Sequence, residues 1–243
     1  MTVLSANHIY KSFGEKQVLN DVSVCLNDGE LVSLLGVSGG GKTTLFNVLS
    51  GIYLPDSGEV YLKDENVTGK PGKVSYMLQK DLLLPYKKVI DNVSLPLLIN
   101  GKSKKEARET AGAYFEIFGL DGTQEMYPDA LSGGMRQRAA LLRTYLASEG
   151  VALLDEPFSA LDTITKSRMH KWYLEIMKEI NLSTLFITHD IDEAILLSDR
   201  IYILNGGRIT QETVIDSAEK RNPDFNLTGE FLEYKKKIKS FLE

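Results

Sequence analysis

The chain carries a single cysteine, Cys25. It can close no internal disulfide and build no multi-cysteine metal cluster, which fits a reducing compartment. Long apolar runs are missing as well. No stretch approaches the roughly 20 residues that a membrane-crossing helix needs, and the apolar run Leu82-Leu83-Leu84 is cut short by Pro85. The first residues, Met1-Thr2-Val3-Leu4-Ser5, lack the basic-then-apolar order of a secretory signal. A role at a membrane is therefore expected to be exercised from outside the bilayer, through a partner. An excess of positive charge is absent too. With 28 Lys and Arg against 33 Asp and Glu the net charge is −5, which argues against nucleic-acid binding through bulk positive charge. The sequence shows no internal repeat and no low-complexity segment.

What is present is an ordinary globular composition, 43% apolar and 25% charged over 243 residues, enough for one large domain or two lobes around a sizeable core. Val18, Asn20, Val22, Val24 and Leu26 alternate with Leu19, Asp21, Ser23 and Cys25, the period of a strand. Asn27-Asp28-Gly29 is a turn signal, and Leu31-Val32-Ser33-Leu34-Leu35 reads as a buried parallel strand. Residues 43–49 have helix-compatible composition. Further strands are expected at 60–62, 74–78, 151–154, 184–188 and 200–204, and Asn205-Gly206 signals a hairpin into 208–210. From about 89 to 119 strand signals stop. Residues 103–118 read as a helix with Ala107, Ala111, Tyr114, Phe115 and Phe118 on one side, opened by a capping box at Ser103-Lys104-Lys105-Glu106. The pattern predicts an α/β fold with a mostly parallel sheet and a helical insertion. The basic tail Tyr234-Lys235-Lys236-Lys237-Ile238-Lys239, flanked by Glu230, Glu233 and Glu243, reads first as a solvated helix face and second as a surface attracted to anionic lipid headgroups.

Gly36-Val37-Ser38-Gly39-Gly40-Gly41-Lys42-Thr43 fills every fixed position of a phosphate-binding loop and stands between an expected strand and an expected helix, the context the pattern requires. Glycines let the backbone wrap phosphates, and the helix start aims its positive end at the same charge. Lys42 is expected to reach the β- and γ-phosphates, and the Thr43 hydroxyl to hold Mg²⁺. Val151-Ala152-Leu153-Leu154-Asp155-Glu156 is an apolar strand ending in two carboxylates, and strand ends are where α/β sheets bind ligands. Asp155 is assigned to Mg²⁺ and Glu156 to the attacking water. His189 closes the strand 184–188 in the same manner, and Gln79 ends the strand 74–78, where its amide can contact Mg²⁺ or that water.

These pieces, together with Leu131-Ser132-Gly133-Gly134-Met135-Arg136-Gln137-Arg138, resemble the ATP-binding subunit of an ABC transporter over essentially the full chain. They stand in that family's order: phosphate loop, Gln79, signature run, acidic strand end, the loop Ser159-Ala160-Leu161-Asp162, and His189. The resemblance implies a P-loop NTPase fold with a RecA-like core and an N-terminal antiparallel β-layer (1–83 and 137–243), and an inserted helical subdomain (84–136). It implies ATP and Mg²⁺ as ligands. Gly36, Val37, Ser38, Gly39, Gly40, Gly41, Lys42, Thr43 and Thr44 would hold the nucleotide, and Phe13 would stack on the adenine with Tyr10 as the competing aromatic. Thr43, Gln79 and Asp155 would face the metal, and Glu156, His189 and Gln79 would serve hydrolysis. Leu131, Ser132, Gly133, Gly134 and Met135 would face the nucleotide of a second subunit in an ATP-bound homodimer, with Asp162 linking the two sites. Ser132 and the amides of Gly133 and Gly134, at the start of a helix carrying Arg136 and Arg138, are read as an anion site.

Implied partners are transmembrane permease subunits, docked near residues 82–86, and indirectly an extracytoplasmic solute-binding protein, with no nucleic acid. The implied place is the cytoplasmic face of the cell membrane. The motifs look most like those of the bacterial nitrate, sulfonate and taurine import group, and a chain ending near Glu243 has no room for an added C-terminal regulatory domain. They leave open an exporter, lipoprotein-release or cell-division ATPase. The signature run and His189 argue against a small-molecule kinase.

Overall fold

The computed structural model describes residues 1–159, 161–217, 220 and 224–242, leaving aside the side chain of Lys178. In chain order the elements are β1 (Thr2–Phe13), β2 (Lys16–Asn27), β3 (Leu31–Leu35), α1 (Lys42–Leu49), β4 (Ser57–Leu62), β5 (Glu65–Asn66), β6 (Ser75–Met77), α2 (Val89–Val93), α3 (Leu95–Ile99), α4 (Lys104–Gly112), α5 (Gly133–Ala147), β7 (Val151–Asp155), α6 (Thr163–Ile180), β8 (Ser183–Thr188), α7 (Ile191–Leu197), β9 (Arg200–Asn205), β10 (Arg208–Val214) and α8 (Gly229–Leu242). They fall into two compact units. One comprises Met1–Val74, Leu153–Glu156 and the chain from Ser183 onward; the other comprises Ser75–Ala152 and Pro157–Leu182.

In the first unit an antiparallel layer runs β2-β1-β4-β5, and a second sheet runs β10-β9-β3-β8 and on to the last residues of β7. β3 pairs in parallel with β8 and β9, while β10 is antiparallel to β9. Every residue of β3 and β8 is buried, as expected of parallel strands covered on both faces. The fold is thus an α/β P-loop type with an added antiparallel layer. The alternation expected along β2 holds from Val22 through Val24 to Leu26, but in its first half Leu19 is buried instead of Val18. The register slips between Ile9↔Val22 and Lys11↔Leu19, and Asp21 adopts a left-handed φ of 60°. One irregular residue flips every side chain before it to the other face. The hairpin signal at Asn205-Gly206 is shifted by one. The two loop residues are Gly206 and Gly207, at φ 56° and 77°, which a tight turn between twisted strands requires.

The tail behaves as an amphipathic helix. Phe231 and Ile238 of α8 join a core cluster with Leu35, Ile195, Ile201 and Ile203, while Lys235 bonds Asp192 at 2.7 Å.

The second unit is larger than the helical insertion expected at 84–136, for it also takes in β6, the start of β7 and α6. α4 opens on the expected capping box: Ser103 Oγ accepts from Glu106 N–H at 3.3 Å, and Glu106 Oε2 accepts from Ser103 N–H at 3.1 Å. The helix stops at Gly112, six residues before the expected end. Beyond it Tyr114 and Phe115 bond back three residues, to Ala111 and Gly112, so the chain tightens into turns that still bury Phe115 and Phe118 completely. Tyr114 is half-buried and packs edge-on to Tyr145 at 5.2 Å, the ring that Phe118 also meets at 5.9 Å.

Candidate functional site

In the first unit the phosphate loop leaves β3 at Leu35 and enters α1 at Lys42. A side chain at Gly36 would collide with the carbonyl of Leu204, and Gly41 turns into the helix at φ 100° with the Val18 carbonyl 3.0 Å from where a Cβ would stand. Only glycine satisfies both positions. No side chain caps α1, so its first-turn amides are open to an anion. Lys42 is buried and donates to the carbonyls of Gly36 at 2.7 Å and Val37 at 3.0 Å. Burial pulls its pKa down, and the nearby carboxylates of Glu156 and Asp155 oppose that shift.

Two strand ends supply the acids and the imidazole. Thr43 Oγ1 donates to Asp155 Oδ2 at 3.4 Å. Glu156, just past β7, has a left-handed φ of 47° and donates its amide to the Ile187 carbonyl at 3.1 Å. This strained turn sets Glu156 Oε1 3.1 Å from Nδ1 of His189, which follows β8. A carboxylate can only accept, so Nδ1 carries the hydrogen. Asp190 caps α7, bonding the amides of Asp192 and Glu193, and so fixes the backbone beside His189.

A cleft of about 370 Å³ is lined by Phe13, Lys16, Val18, Ile187, residues of the phosphate loop, Asp155 and Glu156. Of the loop, Ser38, Gly39, Gly41, Lys42, Thr43 and Thr44 reach it, whereas Gly36, Val37 and Gly40 do not. Of the two candidate aromatics Phe13 lines it and Tyr10 does not. Phe13 is half exposed, packs edge-on to Tyr53 at 5.6 Å, and has Lys11 Nζ 5.5 Å from its ring. Sequence reasoning missed Lys16, Val18 and Ile187, because strand alternation does not say which side faces a ligand. Thr43 and Asp155 offer hard oxygens suited to a small cation that shares its remaining ligands with phosphate and water. Among the described residues no group of three or more His, Cys, Asp and Glu forms a cage of its own.

The remaining expected site residues lie in the second unit. Gln79 is exposed and donates from Nε2 to Ser159 Oγ at 3.3 Å. Leu131 is buried, and Ser132 caps α5 by accepting from Met135 N–H at 3.3 Å. Gly133 and Gly134 form the first turn. A Cβ there would meet only ordinary contacts, 3.7 Å to Leu161 and 3.5 Å to Thr165. Arg136 and Arg138 of this helix bond within the unit. Arg136 donates to the Leu131 carbonyl at 2.8 Å and pairs with Asp81 at 3.3 Å. Arg138 lies 4.5 Å over the Trp172 ring and 3.5 Å from Met169 Sδ. Asp162 caps α6, accepting from the amides of Ile164 and Thr165, both at 3.1 Å. The Thr165 hydroxyl first, and then those backbone amides, hold its carboxyl below the usual range. Ala160 of the same loop lies outside the described residues. In the expected docking segment Leu82 and Tyr86 are exposed, but Leu83 packs inward.

The family model described as ABC transporter matches residues 19–159. The chain belongs to the ABC transporter family. As an ABC-family ATPase it binds and hydrolyses ATP. It is 49% identical, over 76% of its length and 72% of the relative's, to the formylaminopyrimidine import ATP-binding protein ThiZ of Halalkalibacterium halodurans. It is 36% identical, over 94% of its length and 89% of the relative's, to the nitrate import ATP-binding protein NrtD of a Synechocystis strain. In structure it resembles an ATP-binding cassette solved as a dimer in a post-hydrolysis state with ADP and phosphate, at a TM-score of 0.74 and 28% identity, covering 88% of this chain and 99% of that one. Among the described residues no helix is long and apolar enough to cross a membrane.

Proposed function

We propose that this ABC ATPase powers an importer of a small solute, working as an ATP-bound homodimer on the cytoplasmic face of the membrane and docked on separate permease subunits that an extracytoplasmic solute-binding protein serves. The observation that carries the reading is the contrast between the two sets of glycines. Those at Gly36 and Gly41 are forced by the chain's own backbone; those at Gly133 and Gly134 are not, which suits a surface kept clear for a group arriving from outside. The dimeric cassette to which the chain is similar supports a second copy as the source of that group.

In this reading Lys42 and the amides of the phosphate loop bind the β- and γ-phosphates, Phe13 stacks on the base, and Ser132 with the Gly133 and Gly134 amides closes on the γ-phosphate of the partner's nucleotide. Glu156 accepts a hydrogen bond from the attacking water, and His189 Nδ1–H holds the carboxylate in place. Thr43 and Asp155 would hold Mg²⁺, which when bound offsets the charge that develops on the phosphates. Gln79 and Asp162 flank the shared site, and Leu82 and Tyr86 form the exposed apolar surface for the permease.

The first reading takes the solute to be of the nitrate, sulfonate and taurine class, supported by the motifs and by the similarity to the nitrate import protein NrtD. A second reading, a small nitrogen heterocycle, is favoured by the 49% identity to ThiZ. Co-purification with its permease, followed by a binding screen on the associated solute receptor, tests both. Recovery of a permease complex whose receptor binds an oxyanion supports the first reading and a pyrimidine the second. Assembly with an exporter or a cell-division complex contradicts import.

A further inference from the structure

The segment that follows Gln79 is gripped by the helix that carries the signature. Asp81 Oδ2 stands 3.3 Å from Arg136 Nε, and Arg136 Nη1 donates to the Leu131 carbonyl at 2.8 Å. Further along α5, Arg143 donates to the carbonyls of Asp81 at 2.6 Å and Leu82 at 2.9 Å. The other oxygen of Asp81 accepts from Leu83 N–H at 3.1 Å, and the buried Asn92 amide bonds both the N–H of Leu84, at 2.6 Å, and its carbonyl, at 3.1 Å. Leu82 itself sits at φ 45°. A bulky residue holds a left-handed backbone only where its surroundings over-determine it, and Arg143 and Asn92 supply that constraint on either side. Asp81 is thus presented to Arg136 from a fixed backbone.

We propose that Asp81 is a positioning residue for the signature, acting through Arg136. The peptide joining Leu131 to Ser132 is planar. A bond that fixes the direction of the Leu131 carbonyl therefore fixes the plane holding the Ser132 nitrogen, and with it the entry of the capping residue into α5. Arg136 can do this because its fork spans two acceptors at once, a carboxylate and a carbonyl. The Asp81–Arg136 pair is partly exposed, at 29% and 37% of the side chains, and such pairs contribute little to stability. Its effect is expected in the geometry of the signature instead of in the fold. The inference rests on the signature facing a nucleotide of the partner subunit.

The test uses the full chain and reads ATP turnover, the KM for ATP and the emission of Trp172, the single tryptophan. Asp81→Ala and Arg136→Ala should each lower kcat roughly ten- to hundredfold with KM nearly unchanged, and the double variant should be no worse than either single one. Asp81→Asn, whose one carbonyl oxygen can accept from Arg136 or from Leu83 but not from both, should retain part of the activity that Asp81→Ala loses. Arg136→Lys, whose single ammonium does not reproduce the fork, should not. Trp172 emission should stay as in the wild type, because the Arg138–Trp172 contact holds the body of α5. Unchanged kcat, multiplying losses, or a shifted emission accompanying the loss would overturn the proposal. If Asp81→Ala fails to fold, Asp81→Asn and Arg136→Lys still carry the comparison. A Glu156→Gln chain that does not dimerise with ATP would sink the shared-site reading. Dimerisation together with a fully active Asp81→Ala would sink the positioning role alone.

Discussion

The phosphate loop and the signature both present a helix start flanked by glycines, yet they are built differently. At the phosphate loop the glycines answer to the protein itself. The Leu204 carbonyl excludes a side chain at Gly36, Gly41 turns at φ 100°, and the ammonium of Lys42 is held by loop carbonyls. At the signature the first turn has room for methyl groups, its cap is internal, and the nearby arginines are bonded to Leu131, Asp81 and Trp172. The first site is shaped around a ligand by its own chain. The second is held by bonds behind it and leaves room in its first turn, which suits the proposed role of completing a second copy's site.

That contrast can be broken by substitution. Gly134→Asp places an acid in the first turn of α5, where it repels a phosphate brought by a second copy. Turnover should fall by about 10²-fold or more, the loss typical of removing one transition-state donor, while the isolated protomer binds ATP as before. Gly36→Ala should instead lower both the melting temperature and ATP affinity, since the added methyl meets backbone. Calorimetry and equilibrium ATP titration of the two variants check the pair, and equal behaviour would erase the distinction.

A smaller effect is expected at the base. Phe13→Ala removes one ring face from the cleft and should weaken ATP binding by about 1–3 kcal/mol, the usual worth of an aromatic–base stack, with kcat at saturation unchanged. The Tyr10→Ala variant serves as the control and should bind ATP as the wild type does.

The smallest concerns the body of the second unit. Burial first, and then a hydrogen bond with Tyr114, push the Tyr145 phenol up to about 12. Its folded pKa is above the ordinary value near 10. The contribution is therefore complete below about pH 10 and is lost as pH rises toward 12. Tyr145→Phe should flatten the alkaline arm of the thermal-stability profile and leave ATP affinity untouched.

Much of this was legible in the sequence because the relevant signals are local. The run from Gly36 to Thr43 between an apolar strand and a helix, the paired acids after Leu154, and His189 behind a strand all report their positions directly. The capping box at Ser103 is equally local, and the structure reproduces it. What escaped depends on distant neighbours. A bulge beside Asp21 reverses the face of Val18 and Leu19. The tightening after Gly112 ends α4 although Phe115 and Phe118 keep the helical spacing. The sequence showed arginines at 136 and 138 without showing that a carboxylate 55 positions earlier and the ring of Trp172 occupy them. Leu83 reads like Leu82 in the sequence, and only packing separates the buried one from the exposed one.

In the proposed working unit the phosphate loop of one copy is completed by the signature of another. The most direct measurement is the mass of the Glu156→Gln chain in solution with saturating ATP and Mg²⁺, by light scattering after size exclusion. The account predicts a dimer that forms with ATP, disperses with ADP, and is abolished by adding Gly134→Asp. A chain that stays monomeric with ATP, or a dimer indifferent to Gly134→Asp, would contradict it.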